Sequence, residues 1–363
     1  DLNFDLASNQ VIDSPDLAGR LAALAVAVAS EKSATLPNGI ADLSDGSDQA
    51  SLAQHLCGAG ENGLVILGAM ALQHADASAL KAIAASICDV TGCSLAMLAY
   101  GNSAAGHVAA CMPGNNGQNV SQMLESGKKG FVLLNTEPEL DCVESNAARK
   151  AMDQAEFIVQ LSAFKSDAVM EYADVLLPVA AFAESAGTYS NCEGRAQQAK
   201  VAASPRGEAR PAWKFLRVMG NFLGCTGFDH VTLDDVTSEI SQRVDLDTLT
   251  PSARPSEIRI DQCRVTNQDA GLVRVSQMPM YRGDSILRHA AALQSTADNP
   301  SPRVEVHPDV LAGLGLNDGD IARVSNGAGS VTLPVTGNAR IPGSSASIPL
   351  GFSETAPLGP HCQ

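Results

Sequence analysis

The chain has 363 residues, is rich in small apolar side chains, and carries 40 acidic against 24 basic residues for a net charge of −16. That length allows two or three domains, and the composition suits a buried α/β core rather than a disordered polymer. The acidity argues against nucleic acid or an anionic membrane surface as the main partner, and it serves solubility.

In chain order, the first residue is Asp1, so the chain is expected to be a processed product or a piece of a longer protein. The apolar run Leu21–Ala29 is too short to span a bilayer. Asp5, Asp13 and Asp16 precede it where a signal peptide needs basic residues. It reads as one side of an Ala-rich amphipathic helix over Pro15–Lys32, within a helical lead-in of residues 1–58. No stretch has the length and apolarity of a transmembrane helix, so membrane association must run through a partner.

From Gly60 short apolar runs alternate with helical segments. Gly63–Gly68, Cys93–Tyr100, Phe131–Asn135, Phe157–Leu161 and Asp174–Pro178 read as strands. Ala75–Cys88, Gly117–Ser126, Asp141–Ala155 and Lys165–Tyr172 read as helices. This alternation predicts an α/β domain over residues 59–203, a parallel-sheet Rossmann-like unit with both faces covered. Residues 204–300 form a helical or mixed connection, with an amphipathic helix at Pro211–Leu223 and another at Thr237–Val244. Residues 301–352 read as a small β-barrel-like domain. In it a helix covers Pro308–Leu314, and the strands Ile321–Val324 and Ser330–Val335 are joined through Asn326-Gly327-Ala328-Gly329. Residues 353–363, with Pro357 and Pro360, read as a tail.

Nine scattered cysteines form no C-x-x-C pair; Cys88 and Cys93 lie nearest each other. Reduced, buried thiols are expected, and no metal site. The seven histidines show no metal-ligand spacing either, so each is taken as structural or surface, although His107 closes a candidate loop. Gly58, Gly60 and Gly63 match G-x-G-x-x-G, but the motif precedes a strand instead of following one, which is the wrong order for a dinucleotide loop. Gly101, Asn102 and Gly106 follow the strand that ends at Tyr100. They form either a phosphate loop or an ordinary strand–helix turn. Beyond Pro178 come Glu184, Gly187, Thr188, Asn191, Glu193, Gly194 and Arg195. These polar groups and glycines suit either a cleft wall at the carboxyl edge of the sheet or a stabilising hydrogen-bond network. No residue is assigned a catalytic role.

The run YADVLLP, then ESAGT, then NCEGRAQ within Tyr172–Gln197 resembles the molybdopterin oxidoreductase superfamily. Within it, LLNTEPELDC (Leu133–Cys142), AEFIVQLSAF (Ala155–Phe164) and Met280–Ala292 are similar to the G subunits of NADH-quinone oxidoreductases, the large peripheral-arm subunits of respiratory complex I. Val304–Val335 resembles the superfamily's carboxy-terminal β-barrel domain. The resemblance implies a scaffold without pterin or metal of its own, in which the candidate residues from Gly101 to Arg195 are a relic pterin cleft. It also implies iron–sulfur clusters in a missing amino-terminal part and in partner subunits of the peripheral arm. The location implied is the cytoplasmic face of the bacterial inner membrane, or the matrix side of its mitochondrial counterpart. On this reading Arg195→Ala destabilises the fold or assembly without removing a catalytic step. The alternatives are a molybdopterin-dependent oxidoreductase such as a formate dehydrogenase, gripping pterin phosphates through Gly101–Gly106, Asn191 and Arg195, and a free-standing interaction domain.

Overall fold

The computed structural model describes residues 4–98, 101, 106, 114, 116–142, 144–246, 271–299 and 301–359. In chain order the helices are α1 (Leu17–Lys32), α2 (Ile40–Leu43), α3 (Ala50–Ala59), α4 (Ala69–Leu72), α5 (Ala77–Thr91), α6 (Val120–Glu125), α7 (Pro138–Asp141), α8 (Ser145–Gln154), α9 (Asp167–Tyr172), α10 (Ala212–Phe222), α11 (Leu233–Arg243), α12 (Ser285–Arg288), α13 (Ala291–Gln294) and α14 (Pro308–Gly313). The strands are β1 (Leu64–Leu67), β2 (Ser94–Met97), β3 (Gly130–Leu134), β4 (Phe157–Ser162), β5 (Val175–Pro178), β6 (Gly187–Ser190), β7 (Ala196–Ala199), β8 (Val273–Val275), β9 (Val304–Val306), β10 (Ile321–Ser325), β11 (Ser330–Gly337) and β12 (Ser345–Ser347).

The Ala-rich face of α1 explains the first core. Ala22, Ala25 and Val28 are fully buried, and their small side chains let α1 approach Ile83 and Ile87 of α5 closely. The segment expected as a lead-in is thus packed on the α/β unit. Gly58 lies in α3 and Gly60 follows its end, while a Cβ on Gly63 would sit 2.4 Å from Cys93 Sγ. The glycine motif therefore serves a helix end and a close approach between neighbouring segments.

Among the described residues the parallel strands form two hydrogen-bonded sheets, β1-β2 and β3-β4-β5, instead of one. Both are parallel as expected, but the covering of both faces is not found among the described residues. Phe131 and Leu133 of β3 turn toward Ala151, Met152 and Ile158, and α8 covers that side. The alternate residues Val132 and Leu134 are 51% and 42% exposed. The period of two along a strand makes this division unavoidable once helices occupy one side only.

The carboxy-terminal unit is an open, curled five-stranded mixed sheet in the order β10-β11-β9-β12-β8, the half-barrel that the sequence leads one to expect. Val306, Leu333, Val335, Ile348 and Leu358 fill its core. Asn326 forms the turn between β10 and β11, its Oδ1 accepting from the N–H groups of Ala328 and Gly329. The end of the chain, as far as Gly359, is not a loose tail. Leu358 is 1% exposed, Arg274 donates to the Gly359 carbonyl, and the Ser145 hydroxyl donates to the Ala356 carbonyl. No helix among the described residues is long and apolar enough to cross a membrane.

Candidate functional site

Ligands of open α/β sheets usually bind at the carboxyl ends of the strands. Here the chain leaving β3 turns at Asn135, a non-glycine residue with φ +48°. The turn is held from both sides. The Asn135 N–H donates to the Leu161 carbonyl at 2.8 Å, and its Oδ1 accepts the Ala163 N–H at 3.2 Å. Thr136 and Glu137 are thereby carried across the end of β4, and α7 sets Glu137 and Asp141 one helical turn apart. Asp141 Oδ2 accepts the Glu137 N–H at 2.7 Å and the Thr136 hydroxyl at 3.2 Å.

The second half of the site comes from α12, whose first turn is capped by Asp284 accepting the Leu287 N–H. At its end Arg288 donates through Nε to Glu137 at 2.7 Å, through Nη2 to Asp141 at 2.8 Å, and through Nη1 to the Arg282 carbonyl at 2.9 Å. His289 lies 3.2 Å from the other Glu137 oxygen, and its ring stacks on Phe164 with centroids 5.0 Å apart. The side chains of Arg288 and Glu137 are only 4% and 7% exposed. A buried pair of this kind must satisfy its remaining hydrogen-bonding capacity, and this one does so with Asp141, His289 and a carbonyl. Beneath it, Gln160 Nε2 donates to the Thr136 carbonyl at 3.0 Å, while Gln160 Oε1 is buried with no partner.

Burial acts on the titratable groups in different directions. Burial alone would raise the Glu137 carboxyl, but the Arg288 guanidinium and the His289 hydrogen bond hold it below the ordinary carboxylate value. Glu139, buried beside it with the Tyr172 hydroxyl as donor, is pushed up by that burial. Burial, with Asp141 adding, pushes the Cys142 thiol up to about 11. A thiol so raised is a poor nucleophile at neutral pH. The arrangement is a charge-paired latch between two distant stretches of chain.

The candidate residues predicted from sequence lie elsewhere. Glu184 Oε2 accepts the Ala181 N–H. Gly187 and Thr188 belong to β6 and pair with Ala199 and Gln198 of β7. Asn191 organises the hairpin turn, its Oδ1 accepting the N–H groups of Glu193 and Arg195 at 3.0 Å, and Gly194 takes φ +82°. The structure thus places Gly187, Thr188, Asn191, Glu193, Gly194 and Arg195 on one antiparallel hairpin that follows β5, with Glu184 in the short 3-10 turn before it. Arg195 is largely exposed and meets Glu193 at 4.0 Å. Gly101 and Gly106 are described only as isolated positions, and Tyr100, Asn102 and His107 lie outside the described residues. Glu137, Asp141, Phe164, Arg288 and His289 were not singled out from sequence. Their signal was present in the three segments similar to the large peripheral-arm subunits, which the fold brings to one place.

A profile of molybdopterin oxidoreductases matches residues 12–222. The chain belongs to the molybdopterin oxidoreductase family. The profile of the molydopterin dinucleotide binding domain matches residues 272–361 of this family member. Curated relatives include the NADPH-Fe(3+) oxidoreductase subunit alpha of Geobacter sulfurreducens, 28% identical over 246 residues, which covers 63% of this chain and 28% of the relative. The G subunit of the NADH-quinone oxidoreductase of Streptomyces coelicolor is 29% identical over 243 residues, 62% of this chain and 27% of that protein. The F420-dependent formate dehydrogenase subunit alpha of Methanocaldococcus jannaschii is 24% identical over 288 residues, 67% of this chain and 42% of that protein. The chain thus spans less than half the length of these molybdopterin oxidoreductase relatives.

The family name raises the question of a pterin dinucleotide at this edge. Its phosphates would call for free guanidinium, ammonium or backbone N–H donors. Each Arg288 nitrogen already donates, to Glu137, to Asp141 or to the Arg282 carbonyl. Arg288 and the two carboxylates it pairs with thus offer a polyanionic dinucleotide no free cation.

Proposed function

We propose that this molybdopterin oxidoreductase family member is the carboxy-terminal part of the large peripheral-arm subunit of a proton-pumping NADH:quinone oxidoreductase. There it is a scaffold that supports electron transfer without holding a redox centre. The observation that carries the reading is the Glu137–Arg288–Asp141 latch. It occupies the carboxyl edge of the sheet with a guanidinium already paired to two carboxylates, and it is built from segments that resemble those large peripheral-arm subunits. The similarity to the Streptomyces coelicolor protein supports the same reading. On this account NADH is oxidised in a partner subunit, and iron–sulfur clusters lie in the rest of the subunit and in its neighbours. The chain supplies bulk, shields clusters from water and offers docking surface; burial of a cluster tunes its potential. Contact with the membrane runs through partners.

Purification of the native assembly tests this. The expected result is NADH-dependent quinone reduction, with flavin- and cluster-bearing subunits co-purifying. A second reading, a pterin-dependent oxidoreductase such as a formate dehydrogenase, is supported by both family profiles and by the Methanocaldococcus jannaschii relative. It requires formate-dependent turnover and bound molybdopterin in the same preparation, and that result would replace the first reading.

A further inference from the structure

Asparagine followed by glycine is a chemically weak point of a polypeptide, because the missing glycine side chain lets the next backbone nitrogen reach the asparagine amide. The chain has four such pairs: Asn38-Gly39, Asn62-Gly63, Asn116-Gly117 and Asn326-Gly327. The fold treats them differently. The Gly63 N–H donates to the Gly60 carbonyl at 2.9 Å, and the Gly117 N–H to the Gly114 carbonyl at 2.8 Å. At the last pair the asparagine side chain is engaged: Asn326 Oδ1 accepts the N–H groups of Ala328 and Gly329, and Nδ2 donates to the Leu358 carbonyl at 2.8 Å. Asn38 is exposed in the turn between α1 and α2, and no described residue accepts the Gly39 N–H or bonds the Asn38 side chain.

Immediately beyond this pair the chain enters the core. Gly39, at φ +88°, starts α2, and the next residue, Ile40, is fully buried in the cluster that holds Val28 of α1 and Ile83 and Ile87 of α5.

We propose that Asn38 is a spontaneous modification site, which cyclises with Gly39 and reopens as aspartate or isoaspartate, and that isoaspartate there loosens the seat of Ile40. The Gly39 nitrogen gives its proton to solvent and bonds to Asn38 Cγ; the Cγ–Nδ2 bond breaks, and ammonia leaves with a proton from solvent. Water then opens the five-membered imide at one of its two carbonyls. Breaking the bond from the ring nitrogen to Cγ gives aspartate. Breaking its bond to the backbone carbonyl carbon gives isoaspartate, with an extra carbon in the main chain. In sum water replaces ammonia, and nothing is oxidised or reduced. Either carboxylate is solvated on the exposed turn. The extra carbon has a further effect, because it lengthens the chain one residue short of Ile40, whose close-packed surroundings do not follow the shift. This inference does not depend on the scaffold role proposed above.

In the test, the full chain in its native assembly is held at mildly alkaline pH and digested at intervals, with isoaspartate told from aspartate by electron-transfer fragmentation. Asn38 is expected to convert at least about tenfold faster than Asn62, Asn116 or Asn326, because each of those reacts only after a hydrogen bond has opened. In the urea-unfolded chain the four rates are expected to come together. The isoaspartate-bearing fraction is expected to melt below the Asn38→Asp variant, which carries the charge without the added carbon. Comparable rates at the four pairs in the folded chain, a spread of rates unchanged by urea, aspartate without isoaspartate at position 38, or an isoaspartate-bearing chain as stable as Asn38→Asp would each overturn the proposal.

Discussion

Glu137 and Glu139 lie two positions apart on one turn of chain, yet the fold shifts them in opposite directions. The Glu137 carboxyl is held low against its own burial by Arg288 and His289, so its contribution to stability is complete above the ordinary carboxylate value. That contribution disappears as pH falls through the lowered folded-state value. Glu139 is raised by burial, so the folded state prefers its protonated form, and stability is lost as pH rises from the ordinary value through the raised one. Glu137→Gln is therefore expected to cost about 3 kcal/mol at neutral pH in a urea titration, because it leaves a buried guanidinium short of its partner, with the difference shrinking in acid. Glu139→Gln keeps an acceptor for Tyr172 and is expected to raise the urea midpoint at neutral pH, with no gain in acid. The pairing of Glu137 with Arg288 was not legible in any local pattern, although both residues fall in segments similar to the large peripheral-arm subunits. Glu137 and Arg288 are 151 positions apart, and no local pattern indicates that a glutamate after a strand will meet an arginine at a helix end.

Elements were more readable than contacts, for a physical reason: strand and helix periods are local, whereas pairing is not. The strands from Gly63 to Pro178 were found nearly at their observed positions. The helix expected over Asp141–Ala155 is broken, because Cys142 takes an extended ψ of 140° between α7 and α8. The start of α11 was placed too late by following apolar spacing alone. Thr232 and Asp235 form a reciprocal capping box that begins the helix at Leu233. The hairpin β6–β7 alters the expectation for Arg195. Exposed, and only 4.0 Å from Glu193, it has little to lose, so Arg195→Ala is expected to change stability by less than about 0.5 kcal/mol, and not to destabilise the fold as the sequence suggested. Gly194→Ala, by contrast, forces a side chain into the left-handed region at φ +82° and is expected to cost about 1–2 kcal/mol. Leu358→Ala is expected to cost about 2–5 kcal/mol, since its side chain fills the half-barrel core. Urea titrations of the three variants side by side check this ranking.

Across the molecule, the two family-matched parts are joined by polar contacts: Arg288 with Glu137 and Asp141 and Ser145 with Ala356, which are buried or part-buried, and the exposed Asn146 with the Pro357 carbonyl. The fold class was legible because alternating short strands and helices followed by a β-rich unit leave few arrangements. The division of the parallel strands into two sheets, each with a face left uncovered by the described residues, was not, because one strand's alternation cannot say which neighbour completes the layer. The account stands on the proposal that the Glu137–Arg288–Asp141 latch at the carboxyl edge of β3–β5 takes the place of a pterin dinucleotide. Elemental analysis of the purified native assembly, paired with fluorescence of acid-released pterin, decides this. The account predicts iron and flavin without stoichiometric molybdenum, tungsten or pterin. One molybdopterin-bound metal for each copy of this chain would contradict it.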